Sequence, residues 1–209
     1  MKKIVVILFA CLLSVYSFAQ NMFTVFAEMP RELNILVDSI QRQDLMDLYK
    51  NGSPAKVKDR LNETVTLSSF NEDYLELHSG NFSAQIALLK LINDSKIICL
   101  IQTVCAPVCD SKLSFYTSEW KILDTADFVQ PVEVSWFLKD DVDKNNQDFI
   151  HAIKSLDMNL MQYRFDSETL SLSQIFTTPQ YLSKGDKEAV EPFLKNEDKV
   201  FEWKKMGFK

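Results

Sequence analysis

The amino-acid sequence predicts an α+β fold, in which an antiparallel β meander is covered by N-terminal helices and followed by a smaller helix-plus-hairpin unit. Apolar residues recur at helical spacing between about residues 30 and 50, then alternate with polar residues in short runs between residues 64 and 117. A polar segment at residues 140–148 precedes a second helix-and-strand pattern. These patterns divide the chain into residues 20–139, an acidic linker at 140–148 and a second unit at 149–209. Two separate domains and one shared core both fit this division.

Two helices are predicted at the N-terminal end of the meander. The first runs from about residue 30 to residue 40, because Pro30 suits a first helical turn and the apolar residues after it lie three and four apart. Asp44 is predicted to cap a second, short helix that carries Leu45 and Leu48 and ends at Asn51-Gly52.

The meander is predicted from period-two alternation between short polar turns. Its strands are Thr64–Ser68, Tyr74–His78, Phe82–Ile92, Lys96–Cys105 and Leu113–Thr117. Residues 97–101 are apolar at every position, which is typical of a central strand covered on both faces. A further strand is predicted over Val132–Leu138, with Trp136 on its apolar face.

The second unit is predicted to begin with a helix whose apolar stripe includes Phe149 and Ile153. A hairpin of Leu160–Phe165 and Thr169–Ile175 follows. Ser183 is then predicted to cap a helix that ends before Pro192, and Lys199–Trp203 forms a last short strand.

Residues 1–19 have the composition of a secretory signal peptide. Lys2 and Lys3 precede an apolar run from Ile4 to Leu13, and small residues stand where cleavage after Ala19 requires them. The run is shorter than the roughly 20 apolar residues of a membrane span, so no transmembrane anchor is predicted after cleavage. The protein is therefore predicted to be exported to the periplasm or cell envelope, with lipidation at a cysteine in the run as the less favoured alternative.

Composition argues against several classes of function. The four glycines are far apart, so a glycine-rich loop that cradles phosphate is excluded. The net charge of -6 and the lack of a basic cluster argue against nucleic acid as a partner. His78 and His151 are not in metal-ligand spacing, and no cofactor or catalytic residue is predicted.

Cysteine usage leaves one pairing to consider. Cleavage after residue 19 leaves Cys99, Cys105 and Cys109, an odd number for an exported protein. Cys105 and Cys109 could close a small disulfide ring across a proline, and reduced, buried cysteines are the alternative. A catalytic thiol is disfavoured because the spacing is not Cys-x-x-Cys and the negative charge of Asp110 opposes a thiolate.

Asp141, Asp143 and Asn145 have the alternating oxygen-ligand spacing that opens a calcium-binding loop. Asn146 stands where such a loop needs glycine, and Ala152 stands where it needs a closing glutamate. A solvated acidic linker is therefore favoured, and no metal site is predicted.

Five short segments stand out when the chain is taken as a whole: Arg42–Leu48, Asp73–Leu75, Thr103–Ser111, Phe115-Tyr116 with Trp120, and Thr177–Pro179 with Tyr181-Leu182. Together they resemble an uncharacterised family of exported proteins from Bacteroidetes-type bacteria, a domain of unknown function. The resemblance implies export and a single family across the mature chain, and it implies no reaction and no catalytic residues.

Asp124-Thr125-Ala126 resembles the three-residue O-glycosylation acceptor of exported proteins from such bacteria, which makes Thr125 a candidate modification site. Overall, the sequence favours a noncatalytic exported protein that binds an envelope protein or a small ligand. The alternative is an envelope hydrolase whose carboxylates are brought together only by the fold.

Overall fold

A computed structural model describes residues 21–33 and 36–209. The predicted signal peptide lies outside these residues. The predicted α+β fold is confirmed: the described chain contains a seven-stranded sheet, a three-stranded sheet and short helices.

The larger sheet is an antiparallel meander whose strands follow one another in chain order. Its strands are β1 (Lys56–Lys58), β2 (Thr64–Phe70), β3 (Tyr74–Ser79), β4 (Phe82–Lys90), β5 (Lys96–Cys105), β6 (Cys109–Tyr116) and β7 (Ile122–Leu123). The smaller sheet has the order β10-β9-β8 and is also antiparallel. Its strands are β8 (Met161–Phe165), β9 (Leu172–Phe176) and β10 (Lys199–Phe201).

Five α-helices surround the sheets in the described part of the chain. They are α1 (Met22–Ala27), α2 (Ser39–Lys50), α3 (Gln147–Lys154), α4 (Thr178–Tyr181) and α5 (Lys184–Val190). Short 3-10 turns lie at Arg31–Leu33, Thr125–Asp127, Val134–Phe137 and Glu191–Phe193. Among the described residues, no helix combines the length and the hydropathy that a membrane span requires.

The predicted helix over residues 30–40 is wrong. Among its described residues, Arg31–Leu33 form a 3-10 turn and only Ser39 and Ile40 are α-helical, as the start of α2; Leu36 has a left-handed φ of 73° that no α-helix permits. Helix α2 begins at Ser39 because the Asp38 carboxylate accepts hydrogen bonds from the backbone N–H groups of Ile40 and Gln41. Asp44, predicted as the cap, therefore lies within the helix.

The predicted strand over Val132–Leu138 is also wrong, since Val134–Phe137 forms a 3-10 turn. The segment does not pair with a neighbouring strand at Val132. Instead, the side-chain amide of Gln174 accepts from the N–H of Val132 and donates to its C=O, at 2.9 and 2.8 Å. A side chain thus replaces the backbone ladder, which alternation in sequence cannot reveal.

The two faces of the meander carry two apolar clusters. On one face, Phe26 of α1 and Leu45 and Met46 of α2 pack against strand residues such as Leu75 and Leu77. The central-strand prediction is confirmed, because β5 contributes side chains to both clusters. Helices α1 and α2 therefore cover one face. A helical cover was predicted there, but α1 was not among the predicted helices.

The other face packs against the smaller sheet. Tyr74, Cys99 and Phe115 of the meander share a cluster with Phe165 and Leu172. Residues from both sides of the 140–148 segment therefore contribute to one core.

Polar side chains of the meander accept hydrogen bonds from the backbone of β8, the edge strand of the smaller sheet. The N–H groups of its residues 161, 163 and 165 donate to Asp110 Oδ1, Ser111 Oγ and Gln85 Oε1 at 3.0–3.1 Å. These bonds satisfy donors that an edge strand otherwise exposes.

Candidate functional site

A cavity of about 530 Å³ lies between the start of α2 and the turn that joins β1 to β2. Pro30, Leu36, Val37 and Leu61 supply its apolar walls. Arginine and aspartate side chains supply its polar groups. Its volume falls within the range of about 300–1,000 Å³ that is typical of small-molecule sites.

Arg42 is the buried cation of this cavity. Its side chain belongs to the first turns of α2, and the residue is 5% exposed. Its Nη1 donates to the C=O of Met29 at 2.7 Å, and its guanidinium lies 5.8 Å from the centre of the Phe26 ring. Its Nε–H has no hydrogen-bond partner in the described part of the chain.

Burial lowers the pKa of Arg42, and the nearby Asp38 carboxylate opposes this shift. An arginine nevertheless stays protonated in proteins, so the cavity keeps a positive charge. No ion pair to Arg42 occurs among the described residues. A buried cation with an unpaired donor is costly unless something else supplies an acceptor.

The carboxylates of the two aspartates in the cavity accept hydrogen bonds from backbone N–H groups. Asp38 accepts from two N–H groups at the start of α2, each at 3.0 Å. Asp59 accepts from the N–H groups of Leu61 and Glu63 at 2.8 and 2.9 Å. Both carboxylates therefore shape the walls, and neither forms a salt bridge with Arg42.

Arginine is concentrated at this site. The chain has four arginines, and Arg31, Arg42 and Arg60 line the cavity while Arg164 lies elsewhere. The site was not predicted from the sequence, although these three arginines fall within residues 31–60 of an acidic chain. Arg31 lies in a 3-10 turn, Arg42 in α2 and Arg60 in the β1–β2 turn, so only the fold brings the three together.

Apolar surface is exposed beside the cavity. Leu61 on its wall is 79% exposed, the highest value for a large apolar side chain among the described residues. The site thus combines a buried positive charge with an accessible apolar surface.

A second, polar groove of about 390 Å³ lies where β3 and β4 meet β8. Gln85 Nε2 donates to the Tyr74 hydroxyl at 2.7 Å and to Glu76 Oε1 at 3.0 Å. Glu76 Oε1 also lies 3.3 Å from His78 Nε2, and His78 is half exposed. Each of these groups is engaged by a neighbour in a structural network.

The groove does not contain the arrangement of a nucleophilic triad. The nearby Ser68 hydroxyl donates to the Glu76 carboxylate, not to His78. Burial, with the negative charge of Glu76, raises the pKa of Tyr74 well above its ordinary value, so its hydroxyl stays neutral at physiological pH.

Two of the three cysteines considered above form a disulfide, and the third is free and buried. Cys105 and Cys109 form a disulfide that closes the β5–β6 hairpin, and Thr177 Oγ1 donates to the C=O of Cys109 at 2.7 Å. Cys99 is free and buried, and desolvation raises the pKa of its thiol. A buried, high-pKa thiol is a poor nucleophile.

The other candidates lie on the surface. Asp141, Asp143 and Asn145 are exposed, and Asp143 Oδ1 accepts from the N–H of Asn145 at 2.9 Å. The described residues contain no group of three or more His, Cys, Asp and Glu side chains able to hold a metal. Thr125 is partly exposed in a 3-10 turn that Asp124 caps, so the hydroxyl stands in a surface turn.

Comparison with known proteins places the chain in a family without assigning an activity. No curated protein matches the chain. A domain of an uncharacterised protein from Porphyromonas gingivalis W83 has a similar solved structure, with a TM-score of 0.80 and 27% sequence identity over 89% of this chain and 96% of that one. The family model described as "Protein of unknown function (DUF3256)" matches residues 14–208. This chain therefore belongs to the DUF3256 family.

Proposed function

We propose that this protein is exported to the periplasm or cell envelope and binds a small ligand there without transforming it. The observation that carries the proposal is the cavity around Arg42, where a buried guanidinium has an unpaired N–H donor. Unpaired buried donors are rare in proteins and call for an explanation. A bound ligand that supplies the acceptor is such an explanation.

Export is supported by the amino-terminal sequence and by the cysteines. A charged start, an apolar run and small residues before position 20 are typical of a cleaved signal peptide. A disulfide such as Cys105–Cys109 persists in oxidising compartments, of which the bacterial periplasm is one.

A noncatalytic role is supported because the candidate reactive side chains are either hydrogen-bonded to neighbours or buried. In the described part of the chain, the groove around Glu76 is a satisfied hydrogen-bond network and the free thiol of Cys99 is buried. The alternative of an envelope hydrolase needs a carboxylate poised to give or take a proton. The two carboxylates of the Arg42 cavity instead accept from backbone N–H groups.

The test is to purify the protein from its native envelope and to compare native with denaturing mass spectra. We expect a chain that begins at residue 20 and a small bound mass that denaturation releases. Hydrogen exchange of the loaded and stripped protein should then differ at residues 36–42 and 59–61, and not at residues 74–85 of the polar groove.

Four results would contradict the proposal. A chain that still begins at Met1 would contradict export. The absence of a releasable small molecule, or protection confined to other segments, would contradict ligand binding at this cavity. Retention of a stoichiometric protein partner on residues 36–42 and 59–61 would replace the small ligand with an envelope protein.

A further inference from the structure

We propose that the ligand is an amphipathic organic carboxylate, whose carboxylate accepts from the Arg42 guanidinium while its apolar body lies against the cavity walls; this inference rests on the proposed function. Nothing in the family description assigns a ligand class, and four features of the cavity lead to this one.

The first feature is the edge of the guanidinium that remains unpaired. Met29 C=O accepts from Nη1, whereas the Nε–H on the other edge has no partner in the described part of the chain. Carboxylates bind guanidinium groups through two parallel N–H···O bonds on one edge. The Nε–H itself is closed to solvent, so a ligand must displace the groups that cover it. A hydrogen bond formed there is then shielded from water, which strengthens it.

The second feature is the formal charge of the lining. Three arginines and two aspartates give 3 minus 2, or +1. A single positive charge complements a monoanion such as a carboxylate, whereas a doubly charged phosphate would be left with an unbalanced charge in a partly buried site.

The third feature is the orientation of the two aspartates. Asp38 and Asp59 are fixed by backbone N–H donors, so neither carboxylate occupies the place of a ligand on Arg42. The exposed Arg31 and Arg60 extend the positive charge to the mouth of the cavity, where they can attract an anion through solvent.

The fourth feature is the apolar wall. Pro30, Leu36 and Val37 line the cavity, and Leu61 leaves most of its side chain in contact with solvent. Covering this surface with hydrocarbon removes apolar area from water, which favours a ligand with an apolar body over a small ion such as acetate or phosphate.

Isothermal titration calorimetry tests the inference with straight-chain carboxylates from butyrate to decanoate. The primary alcohols of the same lengths are the neutral probes, and inorganic phosphate is the second anion. We expect saturable 1:1 binding of the longer carboxylates, and binding of the alcohols and of phosphate that is weaker by tenfold or more.

The variants are Arg42→Met and Arg42→Lys, with Arg164→Met as a matched loss of one exposed arginine outside the cavity. Both Arg42 variants should weaken carboxylate binding by tenfold or more, since a lysine cannot form the two parallel bonds. Arg164→Met should bind as the wild type does. If an Arg42 variant fails to fold, comparing carboxylate binding with alcohol binding by the wild-type protein still tests the ligand class.

Equal binding of alcohols and carboxylates, phosphate binding as tight as that of the carboxylates, or unchanged binding by a folded Arg42→Met variant would overturn the inference. The native mass spectra separate this failure from failure of the proposed function. A neutral or multiply charged molecule released from the cavity overturns only the ligand class, whereas release of no molecule overturns the proposed function as well.

Discussion

Gln85 links the larger sheet to the smaller one through a single buried amide. Its Oε1 accepts from the N–H of Phe165, and its Nε2 donates to the Tyr74 hydroxyl and to Glu76. We expect Gln85→Leu to lower the free energy of unfolding by about 3 kcal/mol, because the shorter, apolar side chain leaves buried polar groups unpaired. Urea denaturation of this variant, beside the exposed Gln147→Leu as control, measures the difference. Equal losses in the two variants would show that the network contributes nothing.

Tyrosine ionisation should make the protein less stable at alkaline pH. Burial raises the pKa of Tyr74 above its ordinary value of 10.0, with Glu76 adding to the shift, and burial also raises the pKa of Tyr163. The unfolded chain therefore releases these protons first, so their contribution is complete below about pH 10 and is lost as the pH rises further.

The check is the denaturation midpoint between about pH 8 and pH 11 for the wild type, Tyr74→Phe and Tyr163→Phe. Each variant should depend less on pH than the wild type does, and the exposed Tyr181→Phe should match the wild type. Identical alkaline profiles in all four proteins would refute the assignment.

The hydrogen-bond partners of several buried residues could not be predicted, because they lie far away in the sequence. Arg42, Tyr74, Trp120 and Thr177 belong to the segments that carry the family resemblance, and each is buried. Trp120, for example, donates from Nε1 to the C=O of Val25, which is 95 residues away. The sequence shows that such residues are distinctive, but their partners, and the unpaired edge of Arg42, exist only after folding.

At the scale of elements, capping decides where α2 begins. Asp38 and Gln41 form a capping box, whereas Asp44 is an exposed residue within the helix. We expect Asp38→Ala to cost about 1 kcal/mol of stability and Asp44→Ala to cost almost nothing. Chemical denaturation of both variants distinguishes this structure from the helix that the sequence predicted, for which the two costs would be reversed.

The β5–β6 hairpin offers a second test at this scale. In the folded protein that begins at residue 20 we expect no thiol to react with a disulfide reagent, because Cys105 and Cys109 are bonded and Cys99 is buried. One thiol should appear on unfolding, and three after unfolding with reduction. Since the bridged residues are separated by 4 positions, reduction should cost about 2 kcal/mol by loop entropy. Two or more reactive thiols in the folded protein would contradict the disulfide.

Alternation predicted β2 to β5 well because those strands lie between short turns and have one or two apolar faces. It missed β1 and β7, which have only 3 and 2 residues and too few positions to show a period. It failed at Val132–Leu138 because a glutamine side chain pairs with Val132 and residues 134–137 form a 3-10 turn, so the segment keeps only an isolated bridge at Leu138. Local pattern thus predicts strands that are long enough to show a period and that pair through their backbones.

At the scale of the whole molecule, the meander is covered on both faces, and the cavity forms at one end of the helical layer. Helices α1 and α2 contribute to one cluster and the smaller sheet to the other, so the second unit shares the core of the first. The cavity draws its walls from the segment before α2, from α2 itself and from the β1–β2 turn. Its position depends on tertiary packing, which is why neither composition nor periodicity indicated it.

The most direct test of ligand binding at Arg42 is the NMR signal of its Nε–H group. The chain has four arginines, and loss of one signal in Arg42→Lys assigns the Arg42 resonance. We expect addition of hexanoate to move this resonance downfield and to slow its exchange with water, while hexanol leaves it unchanged and the Arg164 resonance stays in place. Saturable hexanoate binding that leaves the Arg42 resonance unmoved would contradict the assignment of this cavity as the site.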